Sequence, residues 1–236
     1  MKKSKPKAVF NWSGGKDSAL ALHKVLNQED YEVVSLLTTV NKDNKLSTMH
    51  NIPVLLLQKQ AESIGIPLYI VELNSGGNMK EYEKAMQSAV DHFKKKEVTH
   101  FIFGDIFLHD VKTYREEKLA PFGIKVVEPL WGKTSEEIIQ DFFDSGLKTI
   151  IVTTMADLLD KEFIGRRVDE QLLNDLPEEV DVCGENGEYH TFCFAGSIFK
   201  NPVSFDLGVP FKKSFPIKME DGIEKIYSYW FADLKV

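Results

Sequence analysis

The stretch AVFNWSGGKDS, from Ala8 to Ser18, decides the fold of this chain. Its first three residues are apolar enough for a buried strand. Beyond Ser18, apolar side chains recur at the i, i+3, i+4, i+7 spacing of a helix with one buried face. A strand that passes through a glycine turn into a helix is typical of α/β folds, in which ligands bind at the carboxyl ends of the strands.

The turn between that strand and helix combines the groups that hold a phosphate. Adjacent glycines let backbone N–H groups approach an oxyanion, and the helix N-terminus adds unpaired donors and a positive dipole end. Asp17 is a carboxylate beside the expected phosphates, which requires a metal ion or a cation between them. We therefore predict a magnesium-nucleotide site formed by Ser13, Gly14, Gly15, Lys16, Asp17 and Ser18.

Spacing separates this turn from two common phosphate loops. In the Walker A pattern Phe10 would have to be Gly and Asp17 would have to be Ser or Thr. The dinucleotide pattern G-x-G-x-x-G is also absent here. The arrangement SGGxDS after a strand resembles the pyrophosphate (PP) loop of the N-type ATP pyrophosphatases, which have a Rossmann-like sheet and cleave ATP to AMP and pyrophosphate. A plain Gly-Gly turn at a helix start is the alternative.

Composition narrows the class of protein. The chain has 236 residues, a net charge of −7 and a hydrophobic content of 43%, which is ordinary for a globular protein and argues against a broad nucleic-acid surface. Its two cysteines form no C-x-x-C pair, as expected in a reducing compartment. With no long apolar segment, we expect a cytoplasmic protein without a membrane partner.

Strand and helix patterns alternate along the first half of the chain. This rhythm predicts α/β architecture with a doubly wound parallel five-stranded sheet, Rossmann-like and of the HUP type given the loop. We interpret Glu128-Pro129-Leu130-Trp131-Gly132 as the boundary between two halves, and from Val180 onward the pattern changes to turns and short strands. This predicts a PP-loop ATP-binding domain at 1–130 and a smaller C-terminal α+β substrate domain at 131–236. The predicted strands are Ala8–Phe10, Glu32–Val40, Pro67–Glu72, Val98–Phe103 and Lys125–Val127.

Polar residues at predicted strand ends extend the nucleotide site. Thr38 lies late in the second strand, and Gly104 and Asp105 follow the fourth. Asp105 is placed either to hold Mg²⁺ together with Asp17 or to cap the next helix near His109. Arg115 on that helix is either a phosphate ligand or a member of a surface ion pair.

The segment GENGEYHT, from Gly184 to Thr191, is the second dense polar cluster. Glu185, Glu188 and His190 would suit a loop that binds an amine or a metal, or that moves protons. A polar hairpin turned at Asn186-Gly187 would give the same pattern, so the residues alone leave both interpretations open.

Several segments together resemble one family, the diphthine–ammonia ligases, over nearly the whole chain. They are SGGKDS, Met49-His50 before Pro53, Gln60-Ala61-Glu62, Gly104-Asp105-Ile106, Tyr114-Arg115-Glu116, Pro129-Leu130-Trp131-Gly132 and Gly184-Glu185-Asn186-Gly187-Glu188. Members that act on elongation factor 2 tend to have a Gly-Gly pair and a further acidic residue where this chain has Asn186 and His190. That departure indicates a bacterial-type branch.

The resemblance implies an ATP- and Mg²⁺-dependent ligase that adenylates a carboxylate and transfers ammonia to it. It implies roles for Lys16, Asp17, Glu185, Glu188 and His190 in catalysis, with Asp17 and Asp105 on the metal. The acceptor would be a small molecule or a modified protein side chain. Alternatives are amidation or salvage of a cobalamin-type molecule, sulfur transfer to RNA and a non-catalytic nucleotide sensor. The aromatic residues after Tyr189 would also suit a homodimer surface.

Overall fold

The structure is a computed structural model that describes residues 4–48, 50–74, 79–218 and 224–236, with the backbone alone at 217 and 218. Met49 lies outside the described residues, as do residues 75–78, where the sequence Ser75-Gly76-Gly77-Asn78 predicts a turn.

A five-stranded parallel sheet forms the first half, as predicted. Its strands are β1 (Lys7–Asn11), β2 (Glu32–Asn41), β3 (Leu68–Leu73), β4 (Val98–Ile102) and β5 (Lys125–Val127). They lie in the order β3-β2-β1-β4-β5, and every neighbouring pair is parallel. The chain therefore changes direction across the sheet between β1 and β4, and ligands of such sheets bind in the crevice at that switch point.

Four helices cover the two faces of this sheet. They are α1 (Lys16–Gln28), α2 (Val54–Ile64), α3 (Met79–Lys94) and α4 (His109–Leu119), followed by a short 3-10 turn at Ala120–Phe122. Because strand side chains alternate in direction, β1 contributes buried side chains to both faces of the sheet. Ala8 and Phe10 belong to one buried cluster, and Val9 belongs to the other with Phe93 and Phe101.

The second half is α+β, as expected. Its elements are α5 (Ser135–Ser145), β6 (Lys148–Met155), a 3-10 turn at Lys161–Phe163, α6 (Glu170–Asp175), β7 (Tyr189–Ala195), β8 (Asp206–Leu207), β9 (Phe211–Lys218), β10 (Glu224–Phe231) and β11 (Leu234–Lys235). An antiparallel sheet has the order β7-β6-β10-β9, and β11 pairs with β8. Thr134 and Glu137 form the capping box at the start of α5.

The two halves share one hydrophobic core. The cluster that contains Phe10 and Leu22 also contains Phe142 from α5 and Phe192 from β7. The division at 130/131 therefore stays a prediction about domains, since burial is continuous across it. The consequence for the site is that β7 packs directly against the glycine turn after β1.

Candidate active site

The glycine turn is shaped by two close approaches of the backbone. Gly14 has a φ of 84°, a conformation that a residue with a Cβ rarely adopts. A Cβ on Gly15 would lie 3.0 Å from Cε1 of His50 and 3.0 Å from the carbonyl oxygen of Thr191. Gly15 is also the N-cap of α1 and provides no side-chain cap. The turn thus brings the N-terminus of a helix to the switch point, where an anion is stabilised.

Strand β7 holds this turn from the C-terminal half. The backbone N–H of Lys16 donates to Oγ1 of Thr191 at 2.8 Å, and the N–H of Cys193 donates to the carbonyl of Gly14 at 2.8 Å. Both bonds join residues on either side of Gly15. One bond is accepted by a side chain and the other by a backbone carbonyl, and together they fix the path of the turn against β7.

Gln60 on α2 also supports the glycine turn. Its side chain is fully buried, and its Oε1 accepts a 2.8 Å hydrogen bond from Nε1 of Trp12. Its Nε2 donates to the carbonyls of Gly14, at 3.0 Å, and Cys193, at 2.5 Å. Because both ends of the Gln60 amide have hydrogen-bond partners, the amide has one favourable orientation. Gln60 therefore holds the glycine turn against β7.

Lys16 is a buried cation. Its side chain is 1% exposed, and its Nζ forms an ion pair and a hydrogen bond with Asp17. Burial alone would lower the pKa of Lys16, but the Asp17 charge and other nearby groups outweigh it and raise that pKa. The ammonium therefore stays charged beside the turn, as a phosphate site requires.

Glu188 organises the acidic loop before β7. It is 2% exposed, and its carboxylate accepts hydrogen bonds from the backbone N–H of Asp181 at 3.1 Å, the N–H of Asn186 at 2.9 Å and Nδ2 of Asn186 at 2.9 Å. The hydroxyl of Tyr189 donates to the Val182 carbonyl at 2.6 Å. These bonds give the loop a fixed shape, while a role for Glu188 with ammonium remains a prediction.

Glu185 links this loop to the glycine turn. Burial and then the negative charge of Asp17 raise the pKa of Glu185 to about 8, against the lowering effect of Lys16. The two polar clusters of the sequence, far apart along the chain, thus lie within electrostatic reach of each other. At neutral pH the Glu185 carboxyl is mainly protonated and able to donate a hydrogen bond.

Two histidines lie against the same turn. The rings of His50 and His190 have centroids 4.8 Å apart. Nδ1 of His50 is buried and has no hydrogen-bond partner in the described part of the chain. Burial and then His190 lower the pKa of His50 to about 3, and burial also lowers the pKa of His190. Both rings are therefore neutral near pH 7 and available as hydrogen-bonding groups.

Asp105 lies on the other side of the switch point. A Cβ on Gly104 would lie 3.0 Å from Cα of Ser18, so Asp105 follows a backbone packed on the start of α1. The Asp105 carboxylate is ion-paired with Arg115. The N-cap of α4 is Leu108, so the capping alternative for Asp105 is wrong.

Arg115 forms more than a surface ion pair. Its guanidinium lies 4.0 Å from the ring centroid of Phe103 and 3.8 Å from Glu128, whose side chain is fully buried. Lys112 donates to the other oxygen of Glu128 at 3.0 Å. Two cations and two carboxylates thus line the carboxyl ends of β4 and β5 beside the nucleotide crevice.

The donor chemistry of this crevice fits Mg²⁺. Asp17 and Asp105 supply carboxylate oxygens, the hard ligands that Mg²⁺ prefers. Among the described residues, no group of three or more His, Cys, Asp or Glu side chains is arranged to hold a metal ion. In nucleotide sites, Mg²⁺ commonly takes one or two protein carboxylates and completes its coordination with phosphate oxygens and water.

The remaining candidate residue Thr38 and the two cysteines, Cys183 and Cys193, are buried. Thr38 is 4% exposed within β2, three residues before the strand ends, and its contact with a nucleotide stays a prediction. Sγ of Cys183 donates to the Ser135 carbonyl at 3.2 Å, and burial raises the pKa values of both Cys183 and Cys193 to about 12. Such thiols are poor nucleophiles because the reactive thiolate is scarce.

Sequence reasoning missed three supporting residues. His50, Gln60 and Thr191 contact the turn, and none carries a local pattern that predicts this. His50 and Gln60 lie in segments that carry the family resemblance, which was the available signal. Thr191 is brought to Lys16 by the pairing of β7, which a linear pattern does not reveal.

A glycine turn at the switch point of a parallel sheet, backed by a buried lysine and carboxylates, is typical of α/β proteins that bind a phosphate group there. The diphthamide synthase N-terminal domain profile matches residues 6–126, and the C-terminal domain profile matches residues 134–226. The chain belongs to the diphthamide synthase family and is an enzyme of the ligase type.

Relatives of known activity support this placement. The chain is 25% identical to the diphthine–ammonia ligase of Bos taurus and 24% identical to that of Homo sapiens, in each case over 82% of this chain and 80% of the relative. It is 26% identical to that of Schizosaccharomyces pombe over 81% of this chain and 34% of the relative.

Two solved structures share part of the fold. A predicted tRNA methyltransferase subunit from Methanocaldococcus jannaschii matches with a TM-score of 0.41 and 16% identity, over 62% of this chain and 80% of that chain. A U34-tRNA thiolase from Methanococcus maripaludis matches with a TM-score of 0.38 and 19% identity, over 60% of this chain and 57% of that chain.

No helix in the described ranges is long and apolar enough to span a bilayer.

Proposed function

We propose that this enzyme uses ATP to adenylate a substrate carboxylate and then replaces the AMP with ammonia to form an amide. The observation that carries the proposal is the buried Lys16 at a helix N-terminus, within electrostatic reach of Asp17 and Glu185. Phosphate-binding and acid–base groups thus lie in one crevice. The diphthine–ammonia ligase activity named for its relatives agrees with this chemistry.

In the first step, a carboxylate oxygen of the substrate attacks the α-phosphorus of ATP. The bond from that phosphorus to the bridging oxygen breaks, and pyrophosphate leaves. Lys16, the hydroxyls of Ser13 and Ser18 and the N-terminus of α1 stabilise the charge on pyrophosphate by position and electrostatics. Asp17 and Asp105 would hold Mg²⁺, which supplies charge neutralisation to the phosphates.

In the second step, the nitrogen of ammonia attacks the acyl carbon. The bond to the AMP oxygen breaks, AMP leaves with that electron pair, and the nitrogen loses a proton. His190 is neutral near pH 7 and can accept this proton. An ammonium ion bound beside Glu185 would favour the ionised form of that carboxyl, which would then hold the ion before attack.

The acceptor is a carboxylate-bearing small molecule or a modified protein side chain such as diphthine. A cobalamin-type acceptor would use the same two steps. Sulfur transfer to RNA is disfavoured by the buried, high-pKa thiols of Cys183 and Cys193.

Hydroxylamine trapping tests the acyl-adenylate. Purified protein is incubated with ATP, Mg²⁺ and a metabolite-rich cell extract, with hydroxylamine in place of ammonia, and hydroxamates are measured as their ferric complexes. We expect hydroxamate that depends on ATP and is lost in Lys16→Met. Lys24→Met removes a surface ion pair with Asp141 and should behave like wild type. ATP consumption without any hydroxamate would overturn the proposal.

A further inference from the structure

One face of the β9–β10 hairpin is built from aromatic rings and lysines. Strand register pairs Phe211 with Phe231, Lys213 with Tyr229 and Phe215 with Tyr227. Directly paired residues point to the same side of a sheet, and every second residue shares that side. All six side chains therefore lie on one face, called here the aromatic face.

The rings of the aromatic face are partly exposed, and four of them, Phe211, Tyr227, Tyr229 and Phe231, are half-buried. None of its rings belongs to either buried core cluster, and Phe215 is 42% exposed. The rings contact one another instead: Phe211 and Phe231 stack with centroids 6.0 Å apart, and Phe215 lies 6.3 Å from Phe231. Phe215 meets Phe231 edge to face, with the two ring planes 77° apart, whereas Phe211 and Phe231 have nearly parallel ring faces.

Lysines give this surface positive charge. Nζ of Lys213 lies 5.1 Å from the Phe211 centroid and 5.9 Å from the Phe231 centroid. Lys225, on the same face by register, lies 5.2 Å from the Tyr227 centroid. Neither ammonium is paired with a carboxylate among the described residues, so both can meet an anion lying over the rings.

Register also connects the aromatic face to the active site. His190 pairs with Thr153, Thr153 with Phe231 and Phe231 with Phe211, which puts these side chains on one side of the sheet. At the usual strand spacing, Phe231 lies about 10 Å from His190 across the buried Thr153.

We propose that the aromatic face binds the non-reacting body of the substrate, and that this body is a planar anion with several negative charges. The inference rests on the proposed function, in which a carboxylate of that substrate reacts beside His190. Aromatic rings stack on planar groups, and unpaired ammonium groups bind the additional carboxylates or phosphates. A small aliphatic acid would leave both features unused.

Two macromolecular occupants fit less well. A peptide added as a strand along β9 would meet Pro216, which has no N–H to donate. A single-stranded nucleic acid needs a basic track, whereas this chain carries a net charge of −7.

Adjacent lysines provide a matched test. Lys212 and Lys213 point to opposite faces of β9, and Lys212 lies 5.8 Å from the Trp230 centroid. Pyrene tetracarboxylate, a fluorescent planar anion, is titrated into the full chain without ATP. We expect Lys213→Gln and Phe215→Leu to weaken binding roughly tenfold, with Lys212→Gln unchanged and Phe215→Tyr close to wild type. Cyclohexane hexacarboxylate should compete poorly because it has charge but no planar ring system.

Equal losses in Lys212→Gln and Lys213→Gln would overturn the inference. So would equal competition by the non-planar acid, or tighter Lys213-dependent binding of a single-stranded oligonucleotide. Because this titration contains no nucleotide, its result is independent of the hydroxamate assay. Amide formation on an acceptor insensitive to the aromatic-face variants would remove this inference and leave the proposed function intact.

Discussion

The backbone N–H of Lys16 donates a 2.8 Å hydrogen bond to the side chain of Thr191, 175 residues further along the chain. This bond makes the C-terminal half a structural support of the glycine turn after β1. The same strand carries His190, so one element contacts both the proposed nucleotide site and the proposed acid–base site.

Replacing Thr191 with Val should weaken the nucleotide site. The change keeps the branched shape but leaves the buried N–H of Lys16 without an acceptor, which costs about 1–3 kcal/mol in the free energy of unfolding. Calorimetric titration should show weaker ATP binding, and Thr191→Ser should restore it. A Val variant that binds ATP and unfolds like wild type would show that β7 does not support the turn.

Glu188→Gln should loosen the acidic loop while sparing ATP binding. The carboxylate accepts three hydrogen bonds, whereas a Gln amide nitrogen cannot accept one. We expect a loss of about 1–3 kcal/mol in unfolding free energy together with slower hydroxamate formation. The exposed Glu178→Gln is the matched control. If Glu188→Gln unfolded and formed hydroxamate like wild type, the hydrogen bonds of Glu188 would not be needed for the shape of the loop or for catalysis.

Glu185 should make the protein less stable as pH rises. Its pKa is raised from 4.5 to about 8 in the folded chain. Between these values the folded state binds the extra proton, so stability falls with increasing pH across that window. Urea unfolding of Glu185→Gln should show a flatter pH dependence than wild type. The same pH dependence of the unfolding free energy in both proteins would contradict the raised pKa of Glu185.

His50 should make the protein less stable as pH falls. Burial and then His190 lower the His50 pKa from 6.5 to about 3. The unfolded chain therefore binds a proton first as pH falls from 6.5, and stability decreases in acid. His50→Gln should lose less stability between about pH 7 and pH 5 than wild type does. An NMR titration of the His50 ring near pH 6.5 would refute its burial against Gly15.

Much of the fold follows from local sequence. The sequence predicts the strand–turn–helix at Ala8–Ser18 from periodicity and a glycine turn, and a helix from Val54 to about Ile64 after Pro53, and the structure agrees. A charged helix pattern from Met79 predicts an end at Lys96, but the helix ends at Lys94, because a charged run gives no sharp stop signal. The order of the antiparallel strands depends on distant pairing, which no local pattern specifies.

The site was predictable only in part. The residue types and spacing of Lys16, Asp17 and Glu185 predict phosphate and acid–base chemistry; the structure brings the three within electrostatic reach, and their roles stay predictions. The ion pair of Asp105 with Arg115 was not, because a helical arginine has many possible partners. The contacts of Gln60 and His50 arise from tertiary packing around Gly14 and Gly15, and sequence patterns do not encode that packing.

The proposed mechanism begins with cleavage of ATP between the α and β phosphates at the Lys16 turn. Its most direct test is product analysis with α-labelled ATP, Mg²⁺, ammonium and purified protein, with and without the cell extract. We predict AMP and pyrophosphate that increase with extract and disappear in Lys16→Met. Formation of ADP, or ATP that stays bound and intact under every condition, would contradict the ligase mechanism.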